Sequence, residues 1–176
     1  MPQFIRRTLR RMVGLPPGGK PNGRTAARSL EGPLTFAPRP PADIVVSYSR
    51  HDRAIAEPLV AYLRAQGFNV WWDRELYSGE DLHDAIVAAL DAAKAVVVIW
   101  SDAAVASMWV RDEARRAARK NKLITAHVPS FDLDKIPLGF GERRCDNVED
   151  RDQIVRALAW FGVLPQAQQA EAALGT

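Results

Sequence analysis

Residues 95–100, Ala-Val-Val-Val-Ile-Trp, are apolar without interruption. Successive strand residues point to opposite faces, so a run with no alternation reads as a strand covered on both sides, as at the centre of a parallel sheet. Parallel neighbours cannot be joined by a tight turn. Each needs a crossover of a dozen or more residues, normally a helix. This run therefore predicts that strands and helices alternate around it.

The rest of the body meets that demand. Asp43–Tyr48 is a second short apolar run. Asp52 is placed to cap a helix reaching about Gln66, with Ile55, Leu59 and Leu63 on one stripe, Pro58 as a kink and Gly67 as its stop. Phe68–Trp72 reads as a strand whose Trp71 and Trp72 face opposite ways, one to the core and one towards the following loop. A polar loop over 74–80 follows. Ser78-Gly-Glu-Asp then opens a capping-box-like helix carrying Leu82, Ile86 and Leu90. After the 95–100 strand come a helix at 107–120, a strand at 123–128, an irregular stretch with a short fifth strand near 143–146, and a helix over 150–161 with Ile154, Leu158 and Phe161 inside. Five such units in about 120 residues define a three-layer, doubly wound α/β domain. The expected sheet is five-stranded and parallel in the order 2-1-3-4-5, the flavodoxin-like arrangement. In such sheets the groove lies beyond the strands' carboxyl ends. Here 47–52, 73–80, 101–109 and 127–133 would line it.

Charge is placed unevenly. Residues 1–40 hold eight basic residues and one acid, whereas the remainder holds 16 basic and 20 acidic. The folded part is thus mildly acidic, and no nucleic-acid partner is expected. Within the 1–41 arm, Ile5, Leu9, Met12 and Val13 could form one face of a short basic helix over 3–13, suited to weak contact with an anionic membrane. Three turns are also too few for an isolated helix, so a frayed tail explains the same residues. The Pro- and Gly-rich stretch to 41 reads as a linker, the 42–162 body as the domain, and 163–176 as a loose Ala/Gln-rich tail. The arm lacks the apolar centre of a secretory signal, so a cytoplasmic location is expected, with a secreted effector or membrane-peripheral protein as alternatives.

Several chemistries are excluded. One cysteine, Cys145, rules out a disulfide framework or a multi-cysteine metal site, and His51, His83 and His127 are scattered without ligand spacing. No GxGxxG or GxxxxGK[ST] pattern occurs. A phosphoacceptor receiver shares the sheet order but needs an acceptor Asp at the end of the third strand, where this chain has Trp100 and Ser101.

Three segments taken in order resemble one family. DIVVSYSRHD (43–52) is similar to the first box of TIR (Toll/interleukin-1 receptor) domains. GFNVWWDRELYSGEDL (67–82) resembles their second strand and BB loop, and ALDAAKAVVVIWSDAAVASMWVRDEARRA (89–117) their third strand and the helix bearing the family's glutamate. The resemblance spans the body from about 42 to 162 and is closest in style to bacterial members. It implies two classes of function. Many TIR domains from bacteria and plants, and the animal axon-degeneration enzyme, cleave NAD at the nicotinamide–ribose bond, giving ADP-ribose or a cyclic isomer. Animal receptor and adaptor TIR domains act instead as non-catalytic scaffolds through the BB loop.

The resemblance assigns the essential acid to Glu113, four residues after Trp109. Val110 stands where many relatives have Cys. A single acid suits the reaction. Nicotinamide leaves NAD as a neutral molecule and needs no proton, while the ribose passes through an oxocarbenium-like state that a carboxylate can stabilise. In a helix Trp109 and Glu113 share a face. Tyr48, Ser49 and Arg50 could touch nicotinamide or phosphate, although a plain turn accounts for them equally. Asp73, Ser78 and Gly79 belong to a loop that would cover substrate or dock a second copy through 73–80. No cofactor is implied, NAD being the substrate. Plainer readings stand beside these: Glu113 as a solvated acid paired with Arg116 or a neighbouring arginine, Trp109 as packing, Asp112 paired with Arg115 and Arg116 on the surface, and Cys145 as a small buried thiol.

Overall fold

The computed structural model describes residues 42–72 and 80–174. The expected 1–41 arm, and with it the membrane-contact reading of 3–13, lies outside the described residues.

Five strands form one parallel sheet in the order β2-β1-β3-β4-β5: β1 Ile44–Ser47, β2 Val70–Trp71, β3 Ala95–Trp100, β4 Leu123–His127 and β5 Cys145–Asn147. Every residue of β1 and β3 is buried. Such strands can lie only at the centre of a sheet with helices on both faces. The register sets Val45 beside Val96 and Ser47 beside Val98, so β3 runs two residues past the end of β1 at the same edge.

The helices are α1 Arg53–Ala65, α2 Glu80–Ala92, α3 Asp102–Ala106, α4 Met108–Arg119, α5 Arg151–Trp160 and α6 Gln166–Leu174. α1 buries Ala56, Leu59, Val60 and Leu63, a stripe at helical spacing, and remains one helix through Pro58. Gly67 closes it with φ +85°, the left-handed conformation that glycine adopts without a Cβ penalty. α2 presents Ile86 and Leu90 to the core. Its carboxyl end is held by Lys122, a buried lysine at the start of β4, whose Nζ donates to the carbonyls of Asp91 (3.0 Å) and Ala93 (2.6 Å). Burial pushes this ammonium's pKa down, and the nearby cation of Lys120 adds to the effect. No described helix is long and apolar enough to cross a membrane.

Three local expectations are corrected. Asp52 precedes α1 but makes no side-chain capping bond to it. Its carboxylate instead reaches across the sheet to Ser101 (2.5 Å). The fifth strand lies at Cys145–Asn147 rather than 143–146, because its pairing partners are Thr125 to His127 of β4. The tail carries α6 where a loose end is expected. Gln166 N donates to Gly67 O (2.9 Å), and Lys94 Nζ donates to Gln169 Oε1 (2.9 Å). Weak local propensity concealed a helix that contacts with distant residues specify.

Cys145 is half-buried on β5. Burial pushes its thiol up to about 11, against a hydrogen bond with Thr125 that pulls the other way. The nucleophile is the thiolate, so alkylation at pH 8 should run on the order of 100-fold slower in the native protein than in the denatured chain. Equal rates in a timed iodoacetamide reaction would show that burial does not hold the thiol protonated.

Candidate functional site

At the carboxyl edge of β1 the chain passes from apolar strand into a polar turn. Tyr48 remains buried, its ring 5.8 Å from that of Trp72, and Arg53 lies over the same indole at 5.2 Å. Trp72 is thus the core-facing member of the pair, and Trp71 is only partly buried. Ser49 opens a 3-10 turn over Arg50–Asp52, accepting from His51 N (3.4 Å), with His51 Nδ1 at 3.3 Å from the same hydroxyl. Ser49 is nearly buried, whereas Arg50 and His51 project into solvent.

Beyond β3, Ser101 performs two tasks with one hydroxyl. It accepts from Ala104 N (2.9 Å), capping α3, and donates to Asp52 Oδ2. The turn after β1 is thereby bridged to the helix after β3. Ser107 ends α3 and caps α4, accepting from Val110 N (3.4 Å). The caps fix where α4 begins, and hence where its side chains point.

α4 faces the sheet with Val110, Glu113, Ala114 and Ala117. Glu113 is the acid in that apolar stripe. It is 4% exposed, and its Oε2 accepts from Ser47 Oγ at 2.5 Å. One turn earlier Trp109 is 49% exposed. A groove of about 570 Å³ opens here, lined by Tyr48, Ser49, Arg50 and His51 from β1's end and by Ala103, Ser107 and Trp109 among others from α3 and α4. A smaller hollow of about 190 Å³ on the other side of Trp109 includes Glu113, Asp112, Arg116 and Arg119. Both hollows share Ile86 and Trp109, so the indole stands at their boundary.

The structure brings Tyr48, Ser49, Arg50 and Trp109 around one groove and sets Glu113 in the adjoining hollow. Asp73, Ser78 and Gly79 lie outside the described residues. The plainer account of Glu113 is corrected. It is buried rather than solvated, and Arg116 forms its ion pair elsewhere, donating twice to Asp91 (2.6 Å each) while Lys120 joins the same carboxylate at 2.7 Å. These two cations hold the Asp91 carboxyl well below the usual carboxylate range. Asp112 pairs with Arg115 at 2.6 Å on the surface, as expected, but not with Arg116. Sequence reasoning placed Ser47 in the groove lining but missed its bond to Glu113, and it missed the Asp52–Ser101 bridge. The available signal for Ser47 was a hydroxyl ending an otherwise apolar strand. Nothing local marks Asp52, because its partner is 49 residues away.

The profile of the TIR domain family matches residues 44–159. The chain belongs to the TIR domain family. Among solved structures it is similar to a metazoan TIR-STING receptor from C. gigas, with 23% identity over 69% of this chain and 42% of that one, at a TM-score of 0.57. The chain therefore spans under half the length of that receptor. It is also similar to the TIR domain of a Toll-related receptor from the lower metazoan Hydra magnipapillata, with 17% identity over 69% of this chain and 94% of the other, at a TM-score of 0.53. At these identities the likeness is one of fold. No curated protein matches the sequence significantly.

The Asp52–Ser101 bridge yields a direct test. Asp52→Ala leaves the buried Ser101 hydroxyl without its acceptor and should cost about 1–2 kcal/mol in urea unfolding. Asp52→Asn keeps an acceptor oxygen and should cost less. Equal midpoints for wild type and Asp52→Ala would show that the bridge does not stabilise the fold.

Proposed function

We propose that this TIR domain is an NAD glycohydrolase that breaks the nicotinamide–ribose bond and releases nicotinamide with ADP-ribose or a cyclic isomer. The observation that carries this reading is Glu113: an acid in the sheet-facing stripe of α4, held at the end of β1, one turn from a half-exposed indole at a groove. A carboxylate kept out of bulk water stabilises a developing cation more strongly than a solvated one does.

In the proposed reaction NAD lies along the groove, and its ribose passes Trp109 to the adjoining hollow that Glu113 lines. The bond between the ribose anomeric carbon and the pyridinium nitrogen breaks, and its electron pair passes to the ring, which leaves neutral. The ribose ring oxygen shares the positive charge, and the Glu113 carboxylate stabilises it and holds the ribose hydroxyls. Water adds to the anomeric carbon and gives up a proton, yielding ADP-ribose; attack by the adenine instead closes a cyclic product. Trp109 supplies an aromatic wall, and Arg50 a cation near the pyrophosphate. Tyr48 and Ser49 shape the floor beneath it. The loop containing Asp73, Ser78 and Gly79 is proposed to complete the pocket. Self-association through 73–80 would then raise activity, in the manner of a signalling or defence enzyme switched on by clustering.

A docking role has its own support in Met108 and Trp109, two large apolar side chains exposed side by side at the start of α4. The two readings diverge in one experiment. Concentrated or bead-clustered full-length protein, incubated with NAD, should release nicotinamide, and Glu113→Ala should lower the rate by about 100-fold or more. If clustered wild type releases none, the docking role stands and the hydrolase reading falls.

A further inference from the structure

The 2.5 Å hydrogen bond from Ser47 to Glu113 joins two residues 66 positions apart in the chain. Ser47 is the last residue of β1 and is fully buried. The residues around it in the sheet are apolar: Val46 precedes it, and Val98 of β3 lies beside it. A hydroxyl at such a position is destabilising unless it is hydrogen-bonded, and an alanine or valine would suit the packing better. What the hydroxyl does here is donate to the acid of α4.

We propose that Ser47 is the positioning residue of the site, fixing the Glu113 carboxylate in the orientation that the ribosyl cation requires. The inference rests on the glycohydrolase reading above and deepens it. The two partners come from different elements. Ser47 ends a central strand, registered against Val98 of β3, while β2 pairs with that strand at Ile44 and Val45. Glu113 belongs to a helix packed on the sheet largely through small side chains, Ala114 and Ala117 beside Val110. A site residue is held in its productive geometry by packing together with supporting hydrogen bonds, and the bond to the strand is such a support for Glu113. The direction of the bond also matters. A serine hydroxyl can donate to a carboxylate, so the contact fixes where Glu113 Oε2 points.

A purely structural serine and a positioning serine differ in what they change. Loss of positioning should fall on the chemical step, because the carboxylate's value peaks when charge develops, whereas binding of the dinucleotide depends mostly on the groove. In nicotinamide release by clustered full-length protein, Ser47→Ala should lower kcat by about 10- to 100-fold with KM within about twofold. Ser47→Thr keeps the hydroxyl and should recover kcat to within about fivefold of wild type. An unchanged kcat in a folded Ser47→Ala protein would overturn the assignment. So would a folded Ser47→Thr protein as slow as Ser47→Ala.

The contact is also read without any activity. Thermal midpoints of Ser47→Ala, Glu113→Ala and the double variant form a cycle, and the double is expected to lose less than the two singles added together. Additive losses would show that the residues are not coupled and would sink the proposal. If the cycle shows coupling but wild type releases no nicotinamide, the hydrolase reading fails and the positioning role fails with it. If wild type turns over NAD and only Ser47→Ala is normal, the positioning role alone fails.

Discussion

Burial of β1 and β3 on both faces is the constraint from which the rest of the molecule follows. A doubly covered strand leaves almost no place for a polar side chain along its length, so chemistry is confined to where the strands end. The parallel arrangement brings all the carboxyl ends to one edge. Ser47, Ser49 and Ser101 gather there, each buried and each hydrogen-bonded. The same sheet that excludes polar groups elsewhere concentrates them at the groove.

Three serines do much of the positioning. Ser101 and Ser107 cap successive helices, and the short α3 between them lets α4 start with a changed direction. Ser47 then meets α4 one turn further on. Away from the groove, Asp91 gathers Arg116 and Lys120 and so ties α2 to α4. These ion pairs are exposed and add little to stability individually. They make part of the basic face at the end of α4 an inter-helix network.

The strands were the legible part. Runs such as Val45-Val46 and Val96-Val97-Val98 carry their burial in their composition, and the crossover lengths between them leave few ways to order the sheet. Amphipathic stripes located α1 and α5 to within a few residues. What misled was local chemistry with a remote partner. Asp52 has the identity and position of a helix cap, yet its carboxylate bonds to Ser101. Arg116 lies three residues from Glu113, yet it bridges to Asp91. The tail lacks a strong apolar stripe, yet it is helical where Gln166 and Gln169 meet Gly67 and Lys94.

The sequence by itself determined the doubly wound sheet, its order and the edge on which a groove must lie. These follow from which residues avoid water and from how far apart they sit along the chain. Only the tertiary structure decided that Glu113 turns inward to Ser47, that Trp109 stands between two hollows, and that Asp52 bridges two loops rather than capping a helix. Apolar burial is a property of each segment and is written along it. A polar side chain's choice among donors depends on which distant groups arrive within 3 Å, and that is set once the layers have packed.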